Sequence, residues 1–199
     1  MITLGLDASA LKTSLGMLLE TGEMLHYTEE LSSFEHLPLF VHKALTKEGF
    51  QIADVHKIGL IIGPGNYTGL RCSILMAKSF ASIYPIQLAG RNRLETIIYV
   101  NQDKRQAVMA SQYVRMNQYY VSIGQYREQK IEYTLTPRLV SEAEWQHHAQ
   151  ADNLLIMGDR PNAAPIDLDL GPPLATWVFE STALETELEP FYIRPAVSP

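Results

Sequence analysis

Residues 63–71 read Gly63-Pro64-Gly65-Asn66-Tyr67-Thr68-Gly69-Leu70-Arg71 and are the densest chemical signal in the chain. They join a continuous apolar run to a long helical pattern, so free amides at the helix start are placed to hold an anion. Arg71 adds a cation. The Lys-Ser/Thr ending of a P-loop is missing. The same glycines suit a tight turn with close packing, and the residues leave both readings open. Asp7 ends the first apolar run, where open α/β sheets put ligand-facing acids. It reads as a magnesium or phosphate contact or as an Asx-turn; Ala8 and Ala10 stand where a phosphate cradle would want glycine. Asp7, Gly65, Thr68 and Gly69 are thus the candidate nucleotide or anion contacts.

The remaining reactive side chains form no familiar constellation. Cys72 is the only cysteine, so neither an intramolecular disulfide nor a cysteine-based metal site is expected. His36 and His42 are six apart and His147 and His148 are adjacent, unlike the i, i+4 spacing of a helical metal site. No Gly-x-Ser-x-Gly hydrolase elbow occurs. Tyr113, Tyr119, Tyr120, Tyr126 and Tyr133 read as strand residues before they read as an RNA-stacking platform. No catalytic residue and no metal ligand is assigned.

Apolar runs predict buried strands at 2–6 and 58–62. A hairpin turns at Thr21-Gly22 between strands at 14–20 and 23–30. A helix spans 32–49, with Ser32 and Glu35 as a capping box and Gly49 as its stop. Further helices are expected from residue 68 or 69 to 84, at 94–100, at 141–149 with Ser141 and Glu144 as a capping box, and at 174–184. Strands are expected at 86–89, 107–112, 119–125, 130–135 and 154–157. The polar stretch 101–105 sets a boundary between domains 1–103 and 104–199. Both halves show the order strand, strand, strand, helix, strand, helix, which implies an α/β protein with mixed sheets and flanking helices.

The helix after Gly69 is apolar around most of its circumference, with stripes at Leu70, Ile74, Ala77 and Ala81 and at Cys72, Met76, Phe80 and Ile83. Such a helix is buried on more than one side. One side is the sheet; the other is expected to face a partner chain, with Ser73, Ala77 and Ala81 allowing close approach. The expected interface is Leu70, Arg71, Ser73, Ile74, Ala77, Lys78 and Ala81. On that reading Ile74→Asp or Ala77→Glu abolishes association and leaves the monomer folded.

Composition narrows the class. The chain has 199 residues, 46% hydrophobic and 19% charged, with 16 basic and 22 acidic side chains and a net charge of −6. That is a folded globular composition. The first hundred residues are nearly balanced and the acidic excess lies beyond them. An acidic chain without a basic arm is not expected to grip nucleic acid strongly by itself. The N-terminus reaches an acid at Asp7 and reads as a strand, not a signal peptide. No apolar run approaches the ~18 residues of a membrane span. A cytoplasmic location is expected.

The nine-residue motif resembles the Gly-Pro-Gly-Ser-Phe-Thr-Gly-Leu-Arg signature of the TsaB (YeaZ) family, departing only at Asn66 and Tyr67. Asp7-Ala8-Ser9 resembles its opening Asp-Thr-Ser, and Leu37-Pro38-Leu39 its first-helix proline segment. Glu189-Pro190-Phe191-Tyr192-Ile193-Arg194-Pro195 is similar to its C-terminal Pro-x-Tyr-Leu-Arg-Pro. The second-domain Asp-Ala-Arg survives only as Arg115. The resemblance implies two actin-like/hexokinase-like (ASKHA) half-folds and a non-catalytic partner of the TsaD-like enzyme that forms threonylcarbamoyladenosine beside the anticodon of tRNA. It implies a heterodimer through helices of the first domain, a TsaE-like ATPase in a larger complex, and a homodimer when the chain is alone. No cofactor is required; ATP or ADP at the partner contact is the nucleotide site it allows. A small-molecule kinase or degenerate ATP-binding protein of the same superfamily is the alternative, and it lacks a Gly-rich second phosphate loop at 107–115. A peptidase would need a metal pair or an activated nucleophile.

Overall fold

The computed structural model of the chain describes residues 1–31, 33–162, 168–181 and 188–191. They pack as two units, Met1–Arg91 with Asp169–Pro190, and Asn92–Leu168 with Phe191.

In unit 1, β1 (Ile2–Asp7), β2 (Lys12–Leu19) and β3 (Met24–Glu30) form an antiparallel meander. β4 (Val55–Gly63) returns parallel to β1, and β5 (Gln87–Asn92) completes the order β3-β2-β1-β4-β5. Two helices, α1 (Leu37–Lys47) and α2 (Tyr67–Ala81), connect these strands. The period-two pattern of β1 sends Ile2, Leu4 and Leu6 into one core with Leu37, Val41 and Leu45 of α1 and Ile74 and Ala77 of α2. Where a helix from residue 32 was expected, a single 3-10 turn at Phe34–His36 precedes α1. Pro38 sits in the first turn of α1, where its missing N–H costs nothing. Ser32 lies outside the described residues; Ser33 Oγ accepts from Glu35 N at 3.3 Å instead.

Unit 2 contains α3 (Arg93–Val100), β6 (Ala107–Tyr113), β7 (Gln118–Arg127), β8 (Lys130–Ser141), α4 (Glu142–Ala149) and β9 (Leu154–Gly158). Its sheet has the order β8-β7-β6-β9, again an antiparallel meander with one parallel return. Met109, Tyr119, Val121, Ile123, Val140 and Trp145 form its core. β8 runs past the expected end at 135 because Pro137 lies on an edge strand, where a missing ladder N–H is tolerated. The capping box at α4 forms as expected: Ser141 Oγ accepts from Glu144 N at 3.3 Å, and the Glu144 carboxylate accepts from Ser141 N at 2.7 Å.

The last described helix, α5 (Gly171–Glu180), packs on β1, β2 and β4 of unit 1. It starts three residues before the expected 174 because Pro172 and Pro173 occupy its first turn; the expected continuation at 182–184 lies outside the described residues. The seat for α5 is a row of glycines. Gly16, Gly5 and Gly59 are in register across β2, β1 and β4. A Cβ on Gly5 would collide with the Gly171 carbonyl and stand 2.9 Å from Ala175 Cα, and one on Gly16 would meet Pro172 Cα at 2.5 Å. Gly5 alternates with Leu4 and Leu6, so α5 covers the face opposite to α1 and α2. Lys57 Nζ donates to the carbonyls of Val178, Phe179 and Ser181 at 3.3, 3.2 and 3.1 Å. A cation there satisfies orphan carbonyls and opposes the helix dipole. By packing, then, α3 belongs with the second sheet and α5 with the first. The division differs from the one expected at 103/104, since a polar stretch marks a connection but not which sheet a neighbouring helix covers. Among the described residues, no helix is long and apolar enough to cross a membrane.

Candidate functional site

The elbow between β4 and α2 closes against the turn after β1. Asp7, Ala8 and Ser9 are all buried. Asp7 Oδ1 accepts from Ser9 N at 2.9 Å and also from the Ser9 hydroxyl, which is an Asx-turn. The Ser9 carbonyl in turn accepts from Asn66 N at 2.7 Å. Asn66 caps α2, its side-chain oxygen accepting from Gly69 N at 3.1 Å. Two of the motif's glycines are there for space. A Cβ on Gly65 would run into Ser9, and one on Gly69 would strike the Ala8 carbonyl and come 2.8 Å from the Phe34 ring. Asp7, Gly65 and Gly69 are therefore brought together in one closed elbow. Thr68 stands beside it but faces solvent. Asn66 occupies the Gly69 amide at the helix start, and Gly65 and Gly69 let the elbow pack against Ala8 and Ser9.

The expected interface residues divide sharply. Leu70 and Ala77 are 0% exposed, Ser73 0% and Ile74 5%; all four are buried within unit 1. Ser73 Oγ donates to the Leu70 carbonyl at 2.9 Å. As core side chains they offer nothing to a partner, and the expectation that Ile74→Asp or Ala77→Glu spares the monomer is corrected: a charge there enters the core. Ala81 is half-buried at the helix end, and Arg71 and Lys78 are exposed. Arg71 lies over the Tyr67 ring at 4.2 Å, a cation–π contact at the start of α2.

The outward face of the helix layer carries apolar residues that the expected interface did not include, among them Ile83 of the second expected stripe. Leu75 is 69% exposed, Ile83 just beyond α2 is 73%, Tyr67 is 53%, and Leu39 on α1 is 48%. Leu75 sits one residue from buried Ile74, about 100° around the helix. The available signal was the apolar excess of α2: its apolar residues exceed what one buried stripe needs. The surplus is what faces out.

Two mixed sheets, each an antiparallel meander with a parallel return and flanking helices, give the chain an actin-like (ASKHA) fold. The structure matches an uncharacterized Pseudomonas aeruginosa protein described as similar to peptidase YEAZ, with a TM-score of 0.74 and 19% identity over 97% of this chain and 99% of that one. It matches YeaZ from Pseudomonas aeruginosa with a TM-score of 0.68 and 20% identity, over 89% of this chain and 92% of that one. Residues 32–147 match the family described as "TsaD: tRNA N6-adenosine threonylcarbamoyltransferase". The chain belongs to this family and, within it, to the TsaB (YeaZ) group. The tRNA threonylcarbamoyladenosine biosynthesis protein TsaB of Bacillus subtilis (strain 168) is 26% identical over 148 residues. That match spans 73% of this chain and 64% of the Bacillus protein.

Proposed function

We propose that the chain is a non-catalytic docking subunit in threonylcarbamoyladenosine formation on tRNA, and that it binds a TsaD-type catalytic subunit through the outward face of α1 and α2. The observation that carries this is the exposure of Leu39, Leu75 and Ile83 on a helix layer whose inner face is already fully packed. Exposed aliphatic side chains on helices whose other face is the core are what a docking surface would supply. Family membership and the name of the Bacillus relative support this pathway. The elbow at 63–69 supports a positioning role: its polar groups are engaged in holding α2 against the β1 turn. In this role the motif orients the helix that docks, and no cofactor is needed.

Leu75→Asp tests the proposal, since residue 75 is exposed and the fold has no need of its side chain. Titration calorimetry with the TsaD-type subunit of the same cell is expected to show affinity at least about tenfold weaker, as for loss of an interface anchor. The melting temperature of the isolated chain should stay put. Undiminished affinity would remove α2 from the interface.

A further inference from the structure

Unit 2 holds a cavity that the docking role does not use. It arises because α4 is short. Its 8 residues reach about 12 Å, whereas the 10 residues of β7 run about 33 Å. Trp145 of α4 packs beside Tyr119 near the start of β7, with ring centroids 6.0 Å apart. At the other end of this sheet face, Ala107 and Leu154 pair at the starts of β6 and β9. They pack against the same core as Trp145 but stay half-buried. Beyond the end of α4 a space of about 530 Å³ remains, with Ala107, Ile123 and Leu154 as its apolar floor. Its polar lining is Thr134, His147, His148, Gln150 and Asp152.

We infer that this cavity binds a small organic cation, an ammonium group carried on an aromatic or aliphatic body. The volume lies in the range of small-molecule sites, and the floor supplies apolar contact. The sign of the charge follows from the rim. The Asp152 carboxylate has no ion-pair or hydrogen-bond partner among the described residues, and no lysine or arginine lines the cavity. The helix α4 also ends here. The carbonyls of His147 and His148 accept from Gln150 N and Ala151 N at 3.3 Å each, which puts the negative end of the helix dipole at this rim. An anion would meet both charges with the wrong sign, and a neutral molecule would gain from neither. The imidazoles of His147 and His148, 5.8 Å apart, lie beside Thr134 and Gln150, and these groups offer acceptors to an ammonium N–H. They do not make a metal centre: among the described residues no group of three or more His, Cys, Asp or Glu could hold a metal ion.

Titration of the full chain by nuclear magnetic resonance with naphthylmethylamine reads this directly, with naphthylmethanol and naphthoate as the neutral and anionic matches of the same ring. The amine is expected to shift the backbone amides of Ala107, Ile123 and the segment 147–154, and to bind at least about tenfold more tightly than naphthoate. Asp152→Asn should weaken the amine about threefold or more and leave the alcohol unchanged. Ala151→Phe puts a ring into the cavity from an exposed position of its lining. It should weaken amine and alcohol alike by at least about tenfold, with the rest of the spectrum unchanged as the sign of an intact fold. Equal binding of amine and naphthoate would overturn the inference, as would shifts that map elsewhere, or an amine affinity indifferent to Asp152→Asn or to Ala151→Phe. Shifts of these amides by the TsaD-type subunit, with none by the amine, would assign the cavity to a protein partner and overturn it too. None of these results touches the docking role, which stands or falls on the effect of Leu75→Asp in unit 1.

Discussion

The two units share one strand plan and use it differently. In unit 1 the row Gly16-Gly5-Gly59 leaves a trough across three strands, and the backbone of α5 lies in it. The corresponding strands of unit 2 carry full side chains in register, as in Ile123-Met109-Ile156. Unit 1 is therefore a sheet covered on both faces, with α5 on one and α1 and α2 on the other. The helices also differ outside. On α4 of unit 2 the exposed positions are Ala143, Glu144, Gln146 and His147, whereas unit 1 exposes Leu39, Leu75 and Ile83. The helix laid on the second sheet, α4, is thus mostly polar outside, whereas α1 and α2 expose aliphatic side chains.

Each unit holds one of the chain's two tryptophans, Trp177 beside Arg91 in unit 1 and Trp145 in the core of unit 2, so the units can be followed separately. Ile74→Asp should have the largest effect. It buries a carboxylate in unit 1 at a cost on the order of 4 kcal/mol or more. Fluorescence of the Trp145→Phe background should show Trp177 exposed to water, while the Trp177→Phe background keeps the native Trp145 signal. Simultaneous loss of both signals would show that the units unfold as one.

Gly5→Val should rank next, at about 3 kcal/mol, because the new side chain meets the backbone of α5 and not a flexible side chain. Chemical denaturation should place the loss in the Trp177 signal. The same kind of overpacking is not expected from Ala110→Val in unit 2 to that degree, as among the described residues no helix backbone is seated on a glycine row there.

The smallest effect belongs to the cap of α4. Ser141→Ala should cost about 1 kcal/mol, read in the Trp145 signal. Hydrogen bonds from the Ser141 backbone N–H and then its hydroxyl hold the Glu144 carboxyl below its ordinary value of 4.5. A depressed carboxylate stabilises the fold above its unfolded pKa, and that stabilisation is lost as pH falls through the folded value. The stability gap between wild type and Glu144→Gln should therefore be full near neutrality and close as pH drops below about 4.5. Unit 1 signals should not follow it.

Much of this architecture was legible from residue pattern. The buried runs of β1 and β4, the Thr21-Gly22 hairpin and the Ser141/Glu144 cap announce themselves because each depends on near neighbours in the chain. The orientation of α2 does not. Ile74 and Leu75 are adjacent and both aliphatic, and only the seat provided by α1 and the sheet decides which one is buried. The home of α5 was hidden for a related reason: Gly5, Gly16 and Gly59 look like scattered single glycines until strand register aligns them. The elbow motif is plain in the sequence, but its glycines answer to Ala8, Ser9 and Phe34, contacts that sequence spacing does not show.

Hydrogen–deuterium exchange of the full chain, with and without the TsaD-type subunit, tests the central claim most directly. The account predicts slowed exchange in peptides covering Leu37–Lys47 and Tyr67–Ala81 on complex formation, and no change over Gly171–Glu180 on the opposite face of the sheet. Protection confined to α5 or to the sheet of unit 2, with α1 and α2 exchanging as in the free chain, would contradict it.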